Sequence, residues 1–397
     1  MQKYIILTPV IGGMGGAQMF VFNKAKYLVE LGWDVVICYT AKIPVLIEGL
    51  SEYNSVFVPE LAYGIKTYTT TQVKNIITKI CDQIHVGLQD NIVIESHLCY
   101  LAFWGEAIAE KLRGKHVLNF LEEDVPLFSS KELSFFEYKL KRWECINAAE
   151  QSLKRLFKEK FKDEYNQYNH TTTFYCSNVT SDEIDDSKII IPDSSTFNIL
   201  SVGRLNKQYI QTMITELYDF AVANNTQNIA IVFVGGSPDG SIERYISSKF
   251  SILKNVKLYF QGYMFPIPLR VIKCADVAIC TSNSVLVSYE QGVPTIAVDA
   301  NDNYAIGIYG VNTQNSVFRE SEPKVPIGEY VKQIYMGEIS YGYNYGCNDQ
   351  CDPFRDQIEF ISKSSSDYKY FNIHDIYSCF ENMLNIIKRL ISEILTK

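Results

Sequence analysis

The sequence has no apolar run near the roughly 18 residues that a membrane-spanning helix needs. Its opening segment, MQKYIILTPVIGG, carries an apolar stretch too short and too early for a signal peptide. It also lacks an excess of cations. The formal net charge is −8, which argues against a general nucleic-acid binder, because that affinity runs on cation–phosphate contacts. The pair Cys347 and Cys351 in CNDQC stands without a second Cys or His pair at ligand spacing, so no metal is expected. Most other cysteines sit inside apolar stretches, such as Cys38 in VVICYT and Cys280 in DVAICTS, as buried thiols of a reducing compartment do. No internal repeat, low-complexity tract, G-x-G-x-x-G fingerprint or convincing pair of catalytic carboxylates is present. The expectation is a cytoplasmic globular protein with no resident metal or cofactor and no nucleic-acid partner.

What is present reads as two α/β halves. The 397 residues allow two to three domains, and 27 Tyr with 22 Phe supply broad surfaces for packing. Near-continuous apolar runs, the mark of strands buried on both faces of a parallel sheet, alternate with helical segments. In the first half the strands are KYIILTPV (Lys3–Val10), DVVICYT, NIVIESH (Asn91–His97) and HVLNFLEE (His116–Glu123). The helix from Ala17 to Leu31 has Phe22, Ala25 and Val29 on one face and Asn23, Lys26 and Glu30 on another. In the second half FNILSVG, IAIVFVGG, VKLYFQG, DVAICTS and TIAVD repeat the alternation. The polar stretch from Asp185 to Thr196 is the expected joint, giving domains of 1–187 and 188–374. From Asp375 to Lys397 a helix is expected to dock through Ile376, Phe380, Met383, Ile387, Leu390 and Ile394.

Ligands of open α/β sheets bind beyond the carboxyl ends of the strands, and four loops leave such ends. GGMGGAQ, with Gly15 and Gly16, offers backbone N–H groups at a helix start, although a plain βα turn looks the same. GRLNKQ offers Gly203, Arg204 and Lys207, a fork and a point charge suited to phosphate. CTSNSVLVSYEQG places Ser282, Asn283 and Ser284 where either an anion or an ordinary N-cap is served. The ESH loop brings His97, which by itself is as well read as a packed histidine.

These residues carry a resemblance. GGMGGAQMFVFNKAKYLVELGWDVVI resembles the opening GGAxxxxxxLAxxLxxxGHxVxV of the retaining, GT-B-fold glycosyltransferases of the family-4 type. ILSVGRL is similar to that family's SVGRLxxxKG, and CADVAICTS…GVPTIAVD to its ADVxxxPS…GxPVIAxD frame. The resemblance implies two Rossmann-like, doubly wound domains facing a cleft, with the C-terminal helix crossing back to the first. It implies transfer of a sugar, with retention and without metal, from a nucleotide-sugar donor to a saccharide or lipid-linked saccharide acceptor in bacterial surface-polysaccharide synthesis. Arg204, Lys207 and His97 carry over as catalytic residues. Gly15, Gly16, Gly203, Tyr263, Ser282, Asn283, Ser284 and Glu290 carry over to the donor.

The departures are specific. Five residues before Gly292, where the family has its second glutamate, stands Val287, and the loop of the first glutamate is missing. Glu290, a turn further on, either replaces it at the ribose or faces solvent. The family's lysine position is Tyr209, so Lys207 serves only in a shortened turn. These losses support a rival reading, a silent relative that binds a nucleotide-sugar or a protein. A nucleotide-sugar epimerase of the same fold is a third, disfavoured by the scarcity of carboxylates. On the acceptor side, residues 139–162 carry Lys139, Lys141, Arg142, Lys154, Arg155, Lys158, Lys160 and Lys162. They form either a peripheral membrane contact at an anionic inner leaflet or a solvated helix face. The Tyr-rich region Tyr335–Phe354 is read as a lid or an interface.

Overall fold

The computed structural model describes residues 2–13, 15–86, 91–121, 128–147, 180–181, 189–339, 353–363, 367–377 and 383–395. The chain divides into one unit of residues 1–177 and 351–397 and another of 178–350.

The first unit opens with β1 (Gln2–Thr8), α1 (Gly16–Glu30), β2 (Asp34–Tyr39), β3 (Asn54–Phe57), α2 (Thr70–Gln83) and β4 (Asn91–Ser96). It continues with α3 (Cys99–Leu112), β5 (Lys115–Phe120), α4 (Ser130–Lys141) and β6 (Cys145–Asn147). Its six strands run parallel in the order β3-β2-β1-β4-β5-β6. Tyr4, Ile5, Ile6 and Leu7 of β1 are all fully buried, which explains the unbroken apolar run: both faces of a central parallel strand are covered. The strand order reverses between β1 and β4, so the loops after these two strands flank a switch point, where doubly wound sheets hold ligands.

The second unit holds β7 (Thr180–Ser181), β8 (Phe197–Val202), α5 (Tyr209–Ala223), β9 (Ile229–Val234), α6 (Ser241–Phe250) and β10 (Val256–Gly262). After them come β11 (Ile267–Pro268), α7 (Leu269–Lys273), β12 (Val277–Cys280), α8 (Asn283–Tyr289), β13 (Thr295–Val298), β14 (Ala305–Ile308) and α9 (Ile327–Tyr335). Its sheet runs β10-β9-β8-β12-β13-β14, with only β14 antiparallel, and β7 pairs with β11 in a small ribbon. The switch point here lies between β8 and β12.

The last elements are α10 (Pro353–Lys363), α11 (His374–Tyr377) and α12 (Met383–Leu395), all in the first unit. Residues 353–374, assigned from the sequence to the second domain, therefore lie with the first. Phe354 packs on Phe20 and Tyr27 at centroid distances of 5.8 and 5.6 Å, and Gln357 accepts a hydrogen bond from buried Lys24.

Three further sequence expectations change. The buried side of α1 is Phe20, Val21, Lys24, Ala25 and Leu28, with Asn23, while Val29 is 48% exposed. Among the described side chains, the apolar face of α12 does not dock. Ile376 is buried, but Met383, Ile387 and Leu390 are exposed, and α12 meets the body through Arg389. That guanidinium donates to Thr67 O at 3.1 Å and stacks over Tyr68, so the polar side of the helix faces inward. Phe380 and Ile394 lie outside the described side chains.

Lys139, counted among surface cations, is buried: its ammonium donates to Glu106 and His116 O at 2.8 Å and to Glu144 at 2.5 Å. Arg142 is paired with Glu144 and Asp367, and Lys141 with Glu137. The remaining basic residues of 139–162, together with Cys347 and Cys351 and most of the Tyr-rich region, lie outside the described residues. Among the described residues no helix is long and apolar enough to cross a membrane.

Candidate functional site

In the second unit the loops after β8, β9, β10 and β12 converge. Gly203 leaves β8 at φ +141° and its N–H donates to Val234 O at 2.9 Å, while Leu205 N–H donates to Gly236 O at 3.1 Å. A Cβ at Gly235, itself at φ +130°, would sit 2.0 Å from Gly203 O, so only glycine lets these two strand ends touch. Gly235 N–H in turn donates to Gly262 O at 2.7 Å. Tyr263 follows, half-exposed, and its hydroxyl donates to Gly236 O at 2.8 Å. Tyr263 thus braces the glycine loop rather than standing free.

Arg204 projects from this floor, exposed, and its guanidinium makes no hydrogen bond or ion pair with the described residues. Burial raises the Tyr263 phenol, while Arg204 is close enough to pull it back down. Lys207 sits in the first turn toward α5, half-buried, and is near enough to Cys280 to work against the burial that pushes that thiol up to about 11. The turn is closed by Lys207 N–H donating to Arg204 O at 3.4 Å. Across the switch point, Ser284 Oγ lies 3.9 Å from where a Gly203 Cβ would stand. Ser282 holds φ 61°, ψ −140°, a backbone rare outside glycine, and its N–H is pinned to Ser316 O at 2.7 Å. Its side chain does not cap α8, so the N-cap explanation of this serine fails.

The structure therefore brings Gly203, Arg204, Lys207, Tyr263, Ser282, Asn283 and Ser284 together around one switch point. Glu290 lies at the other end of α8, about 10 Å along the axis from Asn283.

In the first unit, Gly15 is the N-cap of α1 and Gly16 its first residue; a Cβ on Gly16 would meet only open space. The glycines demanded by geometry are their neighbours, Gly12, whose Cβ would strike Ile43 O at 2.0 Å, and Gly13 at φ +76°. His97 follows β4, across the switch point, fully buried against Phe20. Its Nε2–H donates to Glu95 Oε1 at 2.9 Å.

Glu95 was not singled out by the sequence, yet it is the hub of this end of the sheet. Tyr4 Oη at 2.5 Å and Lys24 Nζ donate to its Oε2, and Asn119 Nδ2 donates to Oε1 at 2.9 Å. Burial would raise this carboxyl, but Lys24, His97 and Asn119 outweigh burial and hold it well below the usual range. Three atoms around this hub are buried with no hydrogen-bond partner among the described residues: His97 Nδ1, Asn119 Oδ1 and Gln357 Nε2. The signal available in the sequence was a glutamate inside the apolar run NIVIESH, opposite a lysine on the apolar side of α1.

No family model matches the chain, and no curated protein matches its sequence. Solved structures do match along its length. Anabaena HepE (Alr3699) in complex with UDP is 14% identical, with a TM-score of 0.55 and 100% of both chains covered. The pneumococcal O-GlcNAc transferase GtfA in complex with UDP and GlcNAc is 10% identical, with a TM-score of 0.51, covering 100% of this chain and 99% of that one. The UDP-GlcNAc 2-epimerase of Methanocaldococcus jannaschii in complex with UDP-GlcNAc and UDP is 13% identical, with a TM-score of 0.50, covering 91% and 99%. The likeness establishes the GT-B fold of two Rossmann-like domains, which transferases and an epimerase share.

Proposed function

We propose that this protein is a glycosyltransferase that takes its sugar from a nucleotide-diphosphate donor. UDP-sugars are the class to try first, because the similar structures hold UDP or UDP-sugars. The observation that carries the reading is Arg204: an exposed guanidinium with no hydrogen-bond or ion-pair partner among the described residues, at a switch point floored by glycine backbone, beside Lys207 and Ser284. A diphosphate supplies what that arrangement lacks.

The chemistry we assign is electrostatic. The bond from the anomeric carbon to the diphosphate oxygen breaks, leaving an oxocarbenium-like sugar and a leaving group that gains negative charge. Arg204 and Lys207 stabilise that charge more in the transition state than in the bound donor, and thereby lower the barrier. The acceptor hydroxyl attacks from the leaving-group face, with retention, and its proton passes to a phosphate oxygen, so the step needs neither a protein base nor a metal. His97 is assigned to the donor sugar, and Gly15 and Gly16 to backbone contact with the diphosphate or sugar. The acceptor is a saccharide or lipid-linked saccharide of a bacterial surface polymer, met at the cytoplasmic side.

Half-buried Val287, where the family carries a glutamate, favours a second reading in which the donor is bound but not turned over. An assay of UDP release from UDP-glucose and UDP-GlcNAc, with a panel of saccharide acceptors, separates the two. Transfer that falls roughly 10²–10³-fold in Arg204→Ala supports the enzyme. Tight donor binding with no release under any acceptor supports the silent relative.

A further inference from the structure

α12 is an amphipathic helix turned inside out. Met383, Leu384, Ile387, Leu390 and Ile391 recur at helical spacing along one face, and they are 43–68% exposed. The buried residue is Arg389 on the opposite side, held to Thr67 O and over the ring of Tyr68. A helix of 13 residues is marginal alone in water and is ordinarily stabilised by burying its apolar face. Here the described residues leave that face uncovered. The turn on which α12 packs, Ile65–Thr67, also walls an apolar cavity of about 130 Å³, lined by Ile65, Cys99, Phe103, Phe128 and Ile376. An apolar cavity of ~150 Å³ takes a benzene ring, so this one has room for the end of an aliphatic chain.

The composition of the face selects its partner. Protein interfaces are anchored by Trp, Tyr and Arg, whereas the five outward residues are Met, Leu and Ile only. The face is also small. At about 1.5 Å per residue and about 10 Å across, it spans roughly 200 Å², against the ~800 Å² that each side of a stable protein complex contributes. A second copy of the chain, docked α12 to α12, therefore buries too little. A lipid leaflet sets no such threshold, because it closes around whatever apolar surface enters it. An acyl chain also fits the neighbouring cavity, which a flat protein surface would leave empty. Charge agrees with this choice. α12 carries Lys388 and Arg389 against Glu393, Lys66 on the turn pairs with Glu132, and Lys131 lies beside Asp375. This end of a chain with formal net charge −8 thus lacks the acidic excess that an anionic leaflet repels.

We propose that α12 is a lipid-surface helix, lying in the plane of a leaflet with its Met, Leu and Ile side chains among the acyl chains and Arg389 fastening it to the protein. Its test needs no nucleotide, so failure of the donor reading leaves this surface standing, and the reverse also holds.

The whole protein is co-sedimented with vesicles of mixed phosphatidylglycerol and phosphatidylcholine, and with vesicles of phosphatidylcholine alone. Wild type is expected to pellet with the mixed vesicles. Leu384→Gln with Ile391→Gln keeps good helix formers on α12 and is expected to lower the partition coefficient about tenfold or more. Lys388→Gln is expected to weaken binding to the mixed vesicles about fivefold and to leave the neutral ones unchanged. The urea midpoint of the double variant is expected to match wild type. Wild type that stays in the supernatant with both kinds of vesicle overturns the proposal, and so does a double variant that binds as well as wild type. A lowered midpoint in the double variant overturns it too, as the mark of a face covered within the chain. Sedimentation velocity that finds a wild-type dimer, dissociated by the same two substitutions, assigns the face to a second copy instead.

Discussion

At the scale of single residues, the second unit turns on atoms that a sequence does not display. A methyl group at Gly235 would press 2.0 Å from Gly203 O on a backbone at φ +130°. Gly235→Ala is therefore expected to cost about 1–3 kcal/mol of stability, read as a lowered urea midpoint. It should also abolish nucleotide binding, because Arg204 sits on the displaced turn.

In the first unit, His116 is wrapped by Glu106, Ser96 and, at one remove, Lys139. Burial first, then Lys139, pushes its imidazole down to about 4 from 6.5. Glu106 is held down at about 2, burial opposing and Lys139 and His116 prevailing. Both shifts have one sign. The unfolded chain binds the extra proton, so the stability from His116 is complete above pH 6.5 and is lost as pH falls toward 4. The Glu106 share goes below about 4.5. Urea midpoints are expected to drop between pH 6.5 and 4, as the unfolding free energy falls by at most about 1.4 kcal/mol per pH unit for this one proton. His116→Gln should flatten that limb; an unchanged slope would contradict the assignment.

Elements were legible where burial follows a simple period. β1, β4, β8, β9 and β12 announced themselves because strands covered on both faces read as unbroken apolar runs. The helices failed where a charge goes inside. Lys24 and Lys139 are buried because Glu95, and Glu106 with Glu144, meet them from other elements. No count of apolar positions along α1 or α4 contains that partner. Gly105 in α3 was not singled out by the sequence. A Cβ there would fall 2.1 Å from Ser96 Oγ and 2.4 Å from His116 Nε2, so α3 lies on the sheet only because that position is empty. Gly105→Ala is expected to destabilise by about 1–3 kcal/mol despite the better helix propensity of alanine; a stabilised variant would refute the close approach. For α12, whose polar side faces inward, Arg389→Ala should remove the anchor. Hydrogen exchange over 383–395 is then expected to accelerate while that of α3 holds.

For the whole molecule, the candidate site was legible as four loops but not as two constellations. The sequence located the loops at strand ends; the sheet order sorts them in pairs, β1 with β4 and β8 with β12, around two switch points. The hub at Glu95 and the brace from Tyr263 to Gly236 depend on which strands are neighbours, and that is fixed only by the complete topology. The central claim is that the β8–β12 switch point holds the diphosphate of a nucleotide-sugar. Calorimetry of UDP, GDP, dTDP and CDP against wild type and Arg204→Ala tests it most directly. One nucleotide, expected to be UDP, should bind, and Arg204→Ala should weaken it roughly 10–150-fold, the loss of a charge-assisted contact worth about 1.5–3 kcal/mol. Folded wild type that binds none of the four, or Arg204→Ala that binds as tightly as wild type, would contradict it.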